Sequence, residues 1–282
     1  MADIDFLARH AAATPTRVAL ISRSRMAKDS DRKIDFDALN RRANQVANVF
    51  RDLGCARQDR VAVMSFNSVE GFEISNGLRK VGLVGVPVNY RLRGSEIAYV
   101  LNDSGTRVVV VGPEHVDAVH AARHEVAGDR SFIAIGGQAP EGWLQYEKLM
   151  AAASDQQPDE SESGALGASM IYTSGTTGHP KGAWRPNGVN IENILQVISI
   201  FELSDSDVHL MCGPGYHSAV SLFSALHQLL GATVVVQSRF DAEEALDLIA
   251  RHRVTTSFMA PTLLQRLVDA QVRKPRDVSS LR

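Results

Sequence analysis

Apolar residues recur along this chain in two rhythms. Leu39, Ala43, Val46, Phe50 and Leu53 fall at intervals of 4, 3, 4 and 3, which lines one face of an amphipathic helix. Elsewhere short apolar runs predict strands at Val61–Phe66, Arg107–Gly112, Ser131–Ile135, Ser169–Thr173, Gly231–Gln237 and Thr255–Ala260. Helical segments are predicted between them, near 68–81, 114–126, 187–202, 217–230, 241–253 and 262–272. Asp241 suits an N-cap, with Glu244 at the spacing of a capping box. Short apolar strands separated by helices predict the α/β class, with parallel strands covered on both faces. Ala151–Gly167 is rich in Ser, Ala and acidic residues and reads as an exposed connector.

Composition narrows the function classes. The 282 residues, 44% of them hydrophobic, are ample for one large or two ordinary domains. A formal net charge of −2 gives no sign of a nucleic-acid partner. Arg23, Arg25, Lys28, Arg32 and Lys33 form the nearest approach to a basic cluster, but Asp29 and Asp31 interrupt it, so it reads as a solvated loop. Cys55 and Cys212 are too few for a disulfide framework or a Cys-rich metal site; both read as small buried hydrophobes or free thiols in a reducing compartment. No apolar run approaches the roughly 18 residues of a membrane span, and the first residues lack a basic leader, so a cytoplasmic protein without an integral membrane segment is expected. His115, His120 and His124 have no cysteine or carboxylate cluster to complete a zinc site and read as a solvated helix face. The absence of a Gly-x-Ser-x-Gly elbow argues against a triad hydrolase.

One string carries candidate chemistry: Met170-Ile171-Tyr172-Thr173-Ser174-Gly175-Thr176-Thr177-Gly178-His179-Pro180-Lys181-Gly182. An apolar lead-in opens into hydroxyls and glycines and ends at a lysine. Glycines let backbone N–H groups turn toward oxyanions, and Lys181 adds a mobile point charge. The loop is not a Walker A, because Gly182 stands where that pattern needs Ser or Thr, and Pro180 and Pro186 discourage helix on both sides. By composition alone a Ser- and Gly-rich surface loop fits as well as a phosphate loop.

The order of the string decides between them. Y-T-S-G-T-T-G-x-P-K-G resembles the signature loop of the adenylate-forming superfamily, which holds acyl-CoA synthetases, luciferases and peptide-synthetase adenylation domains. The likeness extends to Phe36–Asn44, Leu53-Gly54, Asp59–Val63, Gly85–Leu92, Gly213–Ser218, Ala260-Pro261-Thr262 and Val278–Arg282, and so covers nearly the whole chain. It is closest to fatty-acid–CoA ligases. The resemblance implies two stacked α/β subdomains of an N-terminal domain, truncated before the C-terminal lid, with the active site between them. One subdomain would span 52–200; the other would join 1–51 with 201–282 and be incomplete.

The activity so implied joins a carboxylic acid to ATP, giving acyl-AMP and pyrophosphate, and then passes the acyl group to coenzyme A. Thr173, Ser174, Gly175, Thr176, Thr177, Gly178 and Lys181 would hold the nucleotide's phosphates, with Thr176 also a ligand of Mg2+. Lys181, Thr176 and His217 are the catalytic candidates; His217, Ser218, Val220 and Phe223 are the candidates for the acid. Leu222 and Leu226 suggest an apolar wall on the same helix, a pattern that ordinary core packing explains equally well. The sequence departs from the family after Gly182, where Ala183-Trp184-Arg185-Pro186 replaces the frequent Thr-His pair. Relatives also continue past the segment matching Leu281-Arg282 with an adenine loop, a magnesium glutamate, a ribose aspartate, a hinge and a small domain bearing a second lysine. The partners implied are a small-molecule acid, ATP and coenzyme A, with a complementing C-terminal chain or self-association. Two alternatives stand beside this reading: an inactive binding remnant or half of a split enzyme, and adenylation for loading a carrier-protein thiol.

Overall fold

The computed structural model describes residues 5–23, 31–159, 164–173 and 180–282. In chain order its elements are α1 (Phe6–Ala13), β1 (Val18–Arg23), β2 (Asp31–Asp35), α2 (Phe36–Asp52), β3 (Arg60–Met64), α3 (Val69–Lys80), β4 (Val84–Pro87), α4 (Ser95–Asp103), β5 (Val108–Val111), α5 (Val116–Ala122), β6 (Ser131–Ala134), β7 (Leu144–Gln145), α6 (Tyr146–Ala152), β8 (Ser169–Thr173) and β9 (Lys181–Arg185). They continue with α7 (Ile191–Ile200), β10 (Val208–Met211), α8 (Ser218–Leu230), β11 (Thr233–Val236), α9 (Ala242–His252), β12 (Thr256–Ser257) and α10 (Pro261–Arg273). The chain divides into two compact units. The first takes Met1–Asp5, Asn40–Phe66 and Glu70–Val189; the second takes Phe6–Leu39, Asn67–Val69 and Asn190–Arg282. The division falls inside α2 and after Val189, not at residues 51 and 200.

The first unit is built on a seven-stranded sheet in the order β7-β6-β5-β3-β4-β8-β9. All neighbouring pairs are parallel except β8 with β9. The continuous run of β5 follows from burial on both faces. Val109 and Val111 join Ala62, Met64, Val86 and Ile97 on one side, while Val108 and Val110 join Val61, Ile133, Phe50 and Leu78 on the other. The acidic connector is exposed over most of its described length, yet it is tied down. Asn44 Nδ2 donates to Asp155 O and Asn48 Nδ2 to Ser154 O, while Gln45 Nε2 donates to Met150 O just before the connector. Beneath it, Lys80 Nζ donates to Asp5 Oδ2 at 2.5 Å and to Asn40 and Gln157 oxygens, and Arg79 Nη2 donates to Asp5 Oδ1 at 2.8 Å. Burial opposes the charge on Asp5, but the Lys80 and Arg79 cations outweigh it and hold the carboxyl far below the usual range.

The second unit carries a five-stranded sheet, β12-β10-β11-β1-β2, parallel except for the β1–β2 hairpin pairing. Its core joins Ile21, Leu210 and Val235 to Leu246, Ile249, Leu267 and Ala270. Asp241 caps α9 by accepting from Glu244 N at 2.9 Å. Among the described residues no helix is long and apolar enough to cross a membrane.

Three sequence expectations change. Arg32 and Lys33 do not lie in a loop: they belong to β2, which pairs with β1 through backbone bonds and buries only Ile34. An edge strand with one apolar residue leaves no period for sequence reading to detect. The strand predicted at 255–260 shrinks to Thr256–Ser257, because Pro261 opens α10 directly behind it. His115 is not on a solvated face. It is buried, stacked on Tyr90 with ring centroids 5.6 Å apart and met edge-on by Phe66 at 4.7 Å; His120 and His124 are exposed. Cys212 is buried and Cys55 half-buried, both free, and burial pushes the Cys212 thiol up to about 11.

Candidate active site

In the first unit the two described ends of the glycine- and hydroxyl-rich string lie on the paired strands β8 and β9. Thr173 closes β8, Lys181 opens β9, and the two are register partners. Both are exposed. Ser174, Gly175, Thr176, Thr177 and Gly178 lie outside the described residues, with the magnesium assignment to Thr176 among them. Two tyrosines fix the root of the loop to α4. Tyr172 Oη donates to Asp103 Oδ2 at 2.5 Å on the β8 side, and Tyr99 Oη donates to Pro180 O at 3.2 Å on the β9 side. Burial, reinforced by the Asp103 carboxylate, raises the Tyr172 phenol well above its ordinary range, so it stays a donor.

Gly182 is the register partner of Tyr172, and a Cβ there would lie 2.4 Å from Met170 Cε and 3.0 Å from Tyr172 Cζ. The glycine after the lysine therefore lets the hairpin close over the tyrosine ring. Two residues farther along β9, Trp184 is exposed under the Arg60 guanidinium, 5.4 Å from the ring centroid. Sequence reading singled out the string but not Tyr99 and Asp103, whose only linear signal is an unremarkable helix about 70 residues upstream. What the described residues offer is an adjacent hydroxyl and ammonium, both exposed, on a hairpin held from both sides. That donor set fits a polyphosphate.

In the second unit β10 runs into the turn Cys212–Tyr216 and then into α8. His217 occupies the N-cap position of α8; its N–H donates to Pro214 O at 3.0 Å and its O accepts from Ser221 N at 3.1 Å. The imidazole is exposed and lies against Tyr216, with ring centroids 4.4 Å apart. Ser218 is exposed as well. Val220 is buried against Gly213, where an added Cβ would lie 2.8 Å from Val220 Cγ2. Phe223 stacks on Phe258 at 5.0 Å and meets Phe201 edge-on at 5.1 Å. Leu226 is fully buried, and Leu222 only partly.

A residue that sequence reading passed over holds this turn. Asn67 Nδ2 donates to Gly213 O at 2.8 Å and to Gln237 O at 2.9 Å, and Asn67 Oδ1 accepts from Gly215 N at 2.8 Å. A second unforeseen feature lies deeper. His209 and His227 stack at 4.2 Å, 17° from parallel, and share the Thr256 hydroxyl at 3.1 and 2.9 Å. His227 Nδ1 faces Phe223 O at 2.7 Å, so Nδ1 carries the proton and Nε2 accepts from Thr256. No group of three or more His, Cys, Asp or Glu among the described residues could hold a metal ion.

The sequence model of the AMP-binding enzyme family matches residues 7–282. The chain belongs to the AMP-binding enzyme family. Within that family it is 30% identical over 280 residues to an indoleacetate–CoA ligase of Aromatoleum aromaticum, covering 99% of this chain and 53% of the relative. It is 31% identical over 238 residues to a long-chain-fatty-acid–CoA ligase of Mycobacterium tuberculosis, covering 83% of this chain and 46% of the relative. Among solved structures, ATP-bound MatB from Rhodopseudomonas palustris superposes with a TM-score of 0.78 at 26% identity, over 99% of this chain and 53% of that one. The chain spans about half the length of the curated relatives it matches. Both the β8–β9 loop and the turn before α8 fall inside the stretch that defines the family.

Proposed function

We propose that this chain supplies the phosphate-binding loop and part of the acid pocket of an AMP-forming acid–thiol ligase. The observation that carries the reading is the exposed pair of register partners, Thr173 and Lys181, at the root of the loop. In the reaction the carboxylate attacks the α-phosphorus of ATP, and charge builds on the nonbridging oxygens and on the leaving pyrophosphate. Positioning and charge stabilisation dominate such transfers. Lys181 supplies a cation and Thr173 a hydroxyl donor toward the leaving phosphates; Thr176 is assigned to magnesium on sequence grounds, and that ion would neutralise the same oxygens. The acyl-adenylate then yields its acyl group to a thiol, assigned to coenzyme A.

His217 and Ser218, exposed at the start of α8, would meet the carboxyl end of the acid. The aromatic run Phe223, Phe258 and Phe201 farther along suits an acid with an apolar body. The named relatives act on indoleacetate and on long-chain fatty acids, so both classes belong in the test, with a fatty acid as the sequence-based assignment. ATP·Mg affinity should be measured by calorimetry and acid-dependent ATP–pyrophosphate exchange with indoleacetate and a series of fatty acids. Lys181→Ala removes a charged contact worth about 1.5–3 kcal/mol, so affinity should fall by roughly tenfold to a hundredfold. An unchanged affinity and exchange rate in Lys181→Ala would sink the assignment. Product analysis with coenzyme A against a carrier-protein thiol decides the acceptor.

A further inference from the structure

We propose that Asn67 is a positioning residue for the acid end of the site, holding the turn that presents His217. The inference rests on the functional reading above, and it starts from an accounting of backbone groups. The turn Gly213–Tyr216 leaves a strand and enters a helix, so its N–H and C=O groups have no ladder of their own. Three of the groups around it end on one amide. Gly213 O and Gln237 O accept from Asn67 Nδ2, and Gly215 N donates to Asn67 Oδ1, all between 2.8 and 2.9 Å. Only this orientation of the amide satisfies all three, since the reverse would set an oxygen against two carbonyls. Asn67 is itself pinned by its backbone, which donates to Ser238 O at 3.2 Å, and it is buried.

The turn is also closely packed at Gly215. A Cβ on Gly215 would lie 2.7 Å from Met211 Cε and 3.0 Å from Asn67 Oδ1. His217 N then closes on Pro214 O, so the imidazole is set two residues from a peptide whose position Asn67 dictates. Asn67 touches neither acid nor nucleotide on this account. It acts through the turn.

Two variants test this from opposite sides of the turn. Asn67→Asp keeps the acceptor for Gly215 N but places an anionic oxygen against the carbonyls of Gly213 and Gln237. Gly215→Ala leaves the Asn67 amide in place but crowds its Oδ1, so the turn and the amide must shift apart by a few tenths of an ångström. The readouts are the His217 imidazole resonances in histidine-labelled protein, assigned with His217→Gln, and the separate KM values for acid and ATP. Both variants should shift the His217 resonances and raise the KM for acid about tenfold or more, since small misplacements of a positioned group can cost on the order of a hundredfold. The KM for ATP should stay within about twofold of the parent, because the phosphate loop belongs to the β8–β9 hairpin. If both variants only lower the melting temperature and leave His217 resonances and the acid KM in place, Asn67 is a structural residue and the proposal fails. If the parent binds neither ATP·Mg nor any acid in calorimetry, the functional reading fails, and the His217 resonances still decide whether Asn67 sets the turn.

Discussion

Replacing Gly182 by alanine should uncouple the phosphate loop from its support. The residue faces Tyr172 across the β8–β9 ladder, and the new methyl would fall 2.4 Å from Met170 Cε, 3.0 Å from Tyr172 Cζ and 3.1 Å from Tyr172 Oη. The Met170 methyl is the end of a flexible chain, but Met170 is buried among Val84, Val86 and their neighbours. The tyrosine ring has less freedom, because its hydroxyl is held 2.5 Å from Asp103. Overpacking of this kind costs about 1–3 kcal/mol. The strain acts one residue from Lys181, so ATP·Mg affinity should fall together with stability, by roughly tenfold or more if one charged phosphate contact is lost. Tyr172→Phe in the same background frees the ring from Asp103, and the two changes should not add, with a coupling of about 0.5–3 kcal/mol between residues in contact. Urea denaturation and calorimetric ATP titration of the parent, both single variants and the double variant measure all three quantities. A Gly182→Ala protein with the parent's midpoint and the parent's ATP affinity would refute the account of the hairpin.

Two further outcomes follow from buried charge. Lys80→Met removes the closer of the two cations bonded to Asp5, in a site where both side chains have 0% exposure, and should lower stability by up to about 3–5 kcal/mol, whereas Asp5→Leu combined with Lys80→Met should recover only part of it, because Arg79 also loses its bond to Asp5; denaturant midpoints that were additive would show the pair to be uncoupled. Burial, and for His209 also the neighbouring His227, lowers both folded pKa values below 6.5, against the opposing pull of Asp207, while Arg282 adds to the lowering at His227. The unfolded chain then binds more protons below about pH 6.5, so stability should be full above that pH and decline as pH falls through it, and His227→Gln should flatten the decline in melts run from pH 5 to 8.

The residue order of 170–182 was sufficient to identify the family, because an ordered string of hydroxyls, glycines, proline and lysine is far more specific than its composition. The α/β class was legible for a similar reason: strands such as Val108–Val111 are buried on both faces and must be apolar throughout, and helices such as α9 announce themselves through Asp241 and Glu244. Strands whose stability comes from pairing left no such trace. β2, with Ile34 as its buried residue, and β9, with four of five residues exposed, are strands because a neighbour supplies their hydrogen bonds. Only the tertiary structure decided what supports the site. Asn67 is more than 140 residues from the glycines it holds, and Tyr99 is 81 residues from Pro180. His209 and His227 meet because β10, α8 and β12 converge on one hydroxyl. Local pattern records what a residue does for its own segment. A side chain that satisfies the backbone of a distant turn serves another segment, and its own neighbours carry no sign of it.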